Sequence, residues 1–118
     1  MFNETLLDHF RNPRNVGDLP EPTATVEVTN PVCGDVLRLS VRLEGQQIAE
    51  ARFKTQGCVA AIATSSVLTE LLCGKSVRDA KSITPEAISE RLGGLPPATF
   101  HAAQLCEDAV KAILAKLG

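Results

Sequence analysis

The stretch VLRLSVRLEGQQIAEARFK, residues 36–54, decides the fold. In its first half Leu37, Leu39, Val41 and Leu43 fall on one side, with Arg38, Ser40 and Arg42 on the other. Glu44-Gly45-Gln46-Gln47 reads as a turn. The second half then resumes the alternation, with Ala49, Ala51 and Phe53 opposite Glu50, Arg52 and Lys54. Side chains alternate in direction along a strand, so this pattern predicts an antiparallel meander with one face covered and the other wet. Upstream, residues 24–30 (ATVEVTN) alternate in the same way, with Val26 and Val28 on one side, and supply a third strand.

Downstream the period changes. Residues 58–73 hold Ala60, Ala61, Ala63, Val67, Leu68, Leu71 and Leu72 and almost no charge before Glu70, which predicts a largely buried helix capped by Gly74. Short helices are predicted near 76–81 and 85–91, the second with Thr84 as N-cap and Pro85 in its first turn. After Gly93-Gly94-Leu95-Pro96-Pro97, an amphipathic helix is predicted over 98–117, with Leu105, Ala109, Ile113 and Leu117 along one side. At the other end, Asn3 can cap a helix carrying Leu6, Leu7 and Phe10, which Asn12-Pro13 and Gly17 end. The expected architecture is α+β, a three-stranded antiparallel sheet with helices packed on one face. Residues 1–118 read as a single domain, without repeats or low-complexity tracts.

Composition narrows the function. With 44% hydrophobic and 22% charged residues, the chain is ordinary for a globular protein. A net charge of −2 with no basic block argues against nucleic acid and membrane surfaces as partners. No apolar run approaches the length of a membrane span, and the polar start MFNETLLDHFRNPRN is unlike a signal peptide, so a cytoplasmic location is expected. Neither a phosphate-cradling glycine loop nor a serine nucleophile elbow is present.

In a reducing compartment the four cysteines are poor candidates for disulfides, and none forms a close C-x-x-C pair. Buried thiols, nucleophiles and metal ligands gathered from distant segments remain open. Cys33-Gly34-Asp35 lies between the first two strands, where Gly34 permits a sharp turn. A thiolate and a carboxylate aimed at one place, or a loop thiol beside a turn-capping aspartate, both fit. Cys58 begins the buried helix, where unpaired N–H groups and the helix dipole favour a thiolate, although a small core residue fits too. His101 is one of two histidines and stands near the start of the last helix, as a metal ligand or as a surface or capping residue. Cys106 follows on the apolar line Ala102–Cys106–Ala109–Ile113, whose default reading is core. Cys73 reads as a buried structural thiol, and nothing marks Asp8 or His9 as catalytic.

The segments DHFRNPRNVG (8–17), NPVCGD (30–35), ARFKTQGCVAAIATSSVLTE (51–70), GKS (74–76), and LPP followed by H and LCEDAVKAI (95–113) together resemble the IscU/NifU scaffold family over nearly the whole chain. The resemblance implies a carrier rather than an enzyme. Such proteins receive sulfur from a cysteine desulfurase, build a labile two-iron, two-sulfur cluster and pass it to client or carrier proteins; many hold zinc or iron at the same site. It also implies Cys33, Asp35, Cys58 and His101 as site residues. Soft thiolates suit iron, sulfide and zinc, and a harder carboxylate keeps a cluster exchangeable.

Two departures stand out. In the family a third cysteine directly follows the histidine, and here Ala102 takes that place. Cys106 comes one helical turn later, about 6 Å along the helix. His101 then replaces the missing thiolate, giving a Cys33, Asp35, Cys58, His101 set suited to a tetrahedral metal. Alternatively Cys106 reaches the cluster from the next turn, or the helix starts later and shifts its register. In a third account Cys106 is core and cluster competence is altered. We expect the first, with Cys106 kept as a further cluster-ligand candidate. The second departure is Leu95-Pro96-Pro97-Ala98-Thr99, which keeps LPP but lacks the Val and Lys of the family's chaperone-docking motif, and so argues against that chaperone. The alternative function is a zinc-bound sulfur-transfer protein that accepts a persulfide. Relatives of that kind usually carry an insertion after the buried helix and lack the histidine, whereas this chain has His101 and no obvious insertion. A degenerate paralogue is the third reading.

Overall fold

A computed structural model describes residues 2–31 and 33–118. Helix α1 (Glu4–Arg11) leads into a long link, followed by strands β1 (Ala24–Thr29), β2 (Val36–Glu44) and β3 (Gln47–Gln56). Helices α2 (Val59–Leu72), α3 (Val77–Ala80) and α4 (Pro85–Arg91) come next, then a 3₁₀ turn at Pro97–Thr99 and α5 (His101–Leu117). The strands form one antiparallel sheet in the order β1-β2-β3. Its register places Val26 opposite Leu39 and Leu39 opposite Phe53, so one face carries Leu37, Leu39, Val41, Ala51 and Phe53, all buried. Helices α2 and α5 pack against that face, and one core runs from Leu6 through the sheet to Ile113. The opposite face carries surface ion pairs such as Arg38–Asp18 and Arg42–Glu50.

The expected alternation fails at one place. Register shifts between Arg42 and Leu43, pairing Arg42 with Glu50 but Leu43 with Ile48. Residue 49 is the extra residue of a bulge, which reverses the inside and outside of the strand on its far side. Ile48 is therefore fully buried, and Ala49, expected on the covered face, is only half-buried. Both free ends of the bulged strand are covered by loops. Phe53 N–H donates to the Asn15 carbonyl, and Gly17 N–H donates back to the Phe53 carbonyl. Ile48 N–H donates to the Lys75 carbonyl and Gly74 N–H to that of Ile48. An edge strand with paired backbone groups no longer templates pairing with another chain.

Helix α2 is buried almost all round and yet contains Thr64, Ser65, Ser66 and Thr69. Their hydroxyls are satisfied within the helix or by neighbours: Ser65 Oγ donates to the Ala61 carbonyl at 2.7 Å, and Thr69 Oγ1 to that of Ser66 at 2.7 Å. Ser66 Oγ also accepts from the Arg14 backbone N–H and lies 2.8 Å from His9 Nδ1, fastening α1 and the following link to α2. The helix ends one residue earlier than expected, at Leu72, with Cys73 as C-cap and Gly74 beyond it at φ +86°. Cys73, expected to be buried, is exposed, because its backbone has turned to an extended conformation and carries the side chain off the packed face. The last helix starts three residues later than expected, since Pro97 heads the 3₁₀ turn instead.

His9 gives this clasp a pH dependence. Burial lowers its pKa, the nearby Arg14 lowers it further, and Glu70 and Asp8 oppose the shift. Folding therefore favours neutral His9, whereas an unfolded histidine takes up a proton near pH 6.5, a typical reference value. Stability contributed by this group is complete above that pH and is lost as pH falls below it, until the lowered folded-state pKa is passed. Urea midpoints measured from pH 7.5 to 5.5 should fall more steeply for the native chain than for His9→Asn; parallel slopes would assign the acid sensitivity elsewhere.

Candidate metal centre

Three elements converge at one end of the sheet. The link between β1 and β2 is closed by Gly34 N–H donating to the Asn30 carbonyl and Asn30 N–H donating to that of Asp35, at 2.7 and 2.8 Å. Gly34 makes this turn at φ +74°, a conformation that costs glycine little. The turn leaves Cys33 exposed and sends Asp35 inward, with only 5% of its surface accessible. Val36 pairs with Gln56, so the end of β3 lies beside the start of β2 and brings Cys58 close to Asp35. Cys58 is the N-cap of α2, in extended conformation and exposed, rather than a residue of the first helical turn. Its Sγ lies 3.9 Å from Asp35 Oδ2. His101, the first residue of α5, presents Nε2 at 3.5 Å from the same oxygen.

The donor atoms of Asp35, Cys58 and His101 all lie within 4.8 Å of one another. Tetrahedral zinc or iron, with bonds of about 2.0–2.3 Å, separates its ligand atoms by roughly 3.3–3.8 Å. A small contraction therefore brings these three onto one metal. One soft sulfur, one borderline nitrogen and one hard oxygen form a donor set whose chemistry suits such a metal. Neither α2 nor α5 has a side-chain hydrogen bond capping its start, and Cys58 and His101 stand at those two helix N-termini, where the helix dipole favours negative charge.

Cys33 and Cys106 stand outside the group of three. Cys33 lies on the surface of the turn that carries Asp35. Cys106 is buried in the core, where desolvation pushes its pKa up to about 12 against a smaller, opposing effect of the neighbouring Thr64 and Ser65 hydroxyls. Five residues along an α-helix turn the side-chain direction by about 140°, so Cys106 and His101 leave α5 on different sides. Ala102, where a third cysteine was looked for, is 1% exposed in a nest with Ala60 and Ala61, bordered by Phe2 and Leu95. A groove of about 520 Å³, whose lining includes Phe10, Val16, Val36, Phe53 and Ile62, contains none of the three donor residues. Nothing in the sequence pointed to it, because its walls come from five separate elements and a link.

Comparison with known proteins agrees with the fold and extends it. A family model described as the NifU-like N terminal domain matches residues 1–117. The iron-sulfur cluster assembly scaffold protein IscU 1 of Archaeoglobus fulgidus is 42% identical over 111 residues, covering 94% of this chain and 72% of that protein. The scaffold protein IscU of Rickettsia prowazekii is 44% identical over 118 residues, covering 97% of this chain and 89% of the relative. The crystal structure of a NifU-like protein N-terminal region from Brucella abortus superposes with a TM-score of 0.79. It covers 98% of this chain and 92% of that one at 18% identity, a likeness of fold.

Proposed function

The chain belongs to the NifU-like N-terminal domain family, and from that premise we propose that it is a scaffold, not an enzyme, on which iron–sulfur clusters are assembled and from which they are passed on. The observation that carries the reading is the convergence of Asp35, Cys58 and His101. Cys33 is the fourth ligand, brought to the metal from its exposed turn, and a two-iron, two-sulfur cluster is the cargo of this set. Cys106 is no part of it, because its thiol is buried in the core and leaves α5 on a different side from His101.

The chemistry follows from the donors. Cys58 and Cys33 hold iron through soft sulfur. Asp35 supplies a weaker oxygen ligand that gives way when a client competes for the cluster. His101 takes the place of the thiolate that Ala102 cannot provide. The exposure of Cys33 and Cys58 leaves both sulfurs open to a cysteine desulfurase and to client or carrier proteins. Residues 1–118 act as one domain, and the four thiols, none in a disulfide, suit a reducing cytoplasm. No helix among the described residues is long and apolar enough to cross a membrane. Pro96 and Pro97 here lead a 3₁₀ turn, and without the Val and Lys of the chaperone motif the LPP segment serves as the entry to α5.

Anaerobic incubation with ferrous iron, cysteine, a cysteine desulfurase and dithiothreitol to reduce the persulfide sulfur to sulfide should give the visible absorption of a two-iron, two-sulfur cluster, at up to one cluster per bound set. Zinc binding with no cluster under these conditions would overturn the scaffold reading in favour of sulfur transfer.

A further inference from the structure

We propose that Gly57 is a positioning residue for the Asp35 carboxylate, glycine because that carboxylate fills the space of a β-carbon. A β-carbon at Gly57 would stand 2.6 Å from Asp35 Oδ1, 2.8 Å from its Cγ and 3.1 Å from the Ala61 Cβ. The first two separations lie well inside van der Waals contact. Backbone conformation does not demand glycine here: Gly34, Gly45 and Gly74 have positive φ, and Gly57 does not. The neighbour excludes the side chain.

The carboxylate thus has two distinct sides. Oδ1 fills the place a Gly57 β-carbon would take, and Oδ2 faces Cys58 Sγ and His101 Nε2. Neither backbone can retreat to make room. Asp35 is held by the Asn30 N–H on its carbonyl and by β2 beginning at Val36. Gly57 is held between Gln56, which pairs with Val36, and the N-cap of α2. A methyl group at position 57 must therefore displace the carboxylate itself, swinging Oδ2 away from the other two donors. Cysteine or aspartate would still be present, but the oxygen would no longer meet the metal.

This inference rests on the assignment of Asp35, Cys58 and His101 as metal ligands. Cobalt(II) tests both, because its thiolate charge-transfer and d–d bands report the ligands directly. Gly57→Ala should weaken cobalt binding roughly 10–100-fold, as loss of a ligand-orienting contact does, and alter the d–d bands. In an Asp35→Ala background the same change should have no further effect on affinity. Most of any fall in melting temperature caused by Gly57→Ala should also be relieved there, since the two closest atoms are gone and only the Ala61 Cβ at 3.1 Å remains. Native affinity and unaltered bands in Gly57→Ala overturn the inference, as does a melting-temperature loss that persists in full without the carboxylate. A native chain that gives no thiolate-to-cobalt absorption overturns the ligand assignment itself, and the inference with it.

Discussion

Cys58→Ala should reduce cluster formation to background while leaving the fold unchanged, and Cys106→Ala should do the reverse. Cys58 sits at an exposed N-cap and makes no capping hydrogen bond, so its removal leaves no cavity and breaks no helix contact. It does remove the only sulfur among the three converged donors, leaving the Cys33 thiolate with a carboxylate and an imidazole, a set that holds iron and sulfide poorly. Cys106 is 1% exposed and sits beside Thr64 and Ser65 in the core. Its truncation should cost roughly 1 kcal/mol, in the usual range for a small buried substitution, with cluster yield unchanged. Visible absorption after anaerobic reconstitution and urea denaturation of each apoprotein measure the two effects. Native cluster yield from Cys58→Ala, or loss of the cluster in Cys106→Ala, would reverse the assignment.

The largest expected loss of stability is at Leu39. It is fully buried on the central strand, opposite Val26 on one side and Phe53 on the other, beneath the helices. Leu39→Ala removes apolar contact and leaves a void that strands paired on both sides cannot collapse to fill. The expected cost is about 2–5 kcal/mol, against a total stability of roughly 5–15 kcal/mol for a domain. Urea denaturation should show a lower midpoint with an unchanged slope, since the surface exposed on unfolding is nearly the same. Val16→Ala, at a side chain 52% exposed, should stay within about 0.5 kcal/mol. Equal effects at the two sites would mean that the sheet is not the centre of the core.

Local rules read well from the chain wherever one residue decides the outcome. Asn3 and Thr84 cap their helices as expected, each accepting a backbone N–H on its side-chain oxygen. The alternation over 36–44 gave the correct inward face for Leu37, Leu39 and Val41. It failed at Ile48-Ala49 because both residues are apolar, so either could face inward, and only pairing with β2 revealed the extra residue. His9 looked unremarkable in a short surface helix; its burial depends on the Ser66 hydroxyl 57 residues away. Cys73 was misplaced through a single-residue shift in the end of α2, enough to move a side chain from packed to exposed.

The sequence by itself determined the elements, the Asn3 and Thr84 caps, the family, and the side chains with metal-donor chemistry. These are properties of short windows, where period, glycine and side-chain chemistry act over a few positions. The tertiary structure decided which of those donors meet. Asp35, Cys58 and His101 arrive from a turn and two helix starts, and chain spacing carries no information about how such distant segments close. It also separated Cys106 from the cluster, because the phase of α5 points that sulfur into the core while His101 points out of it.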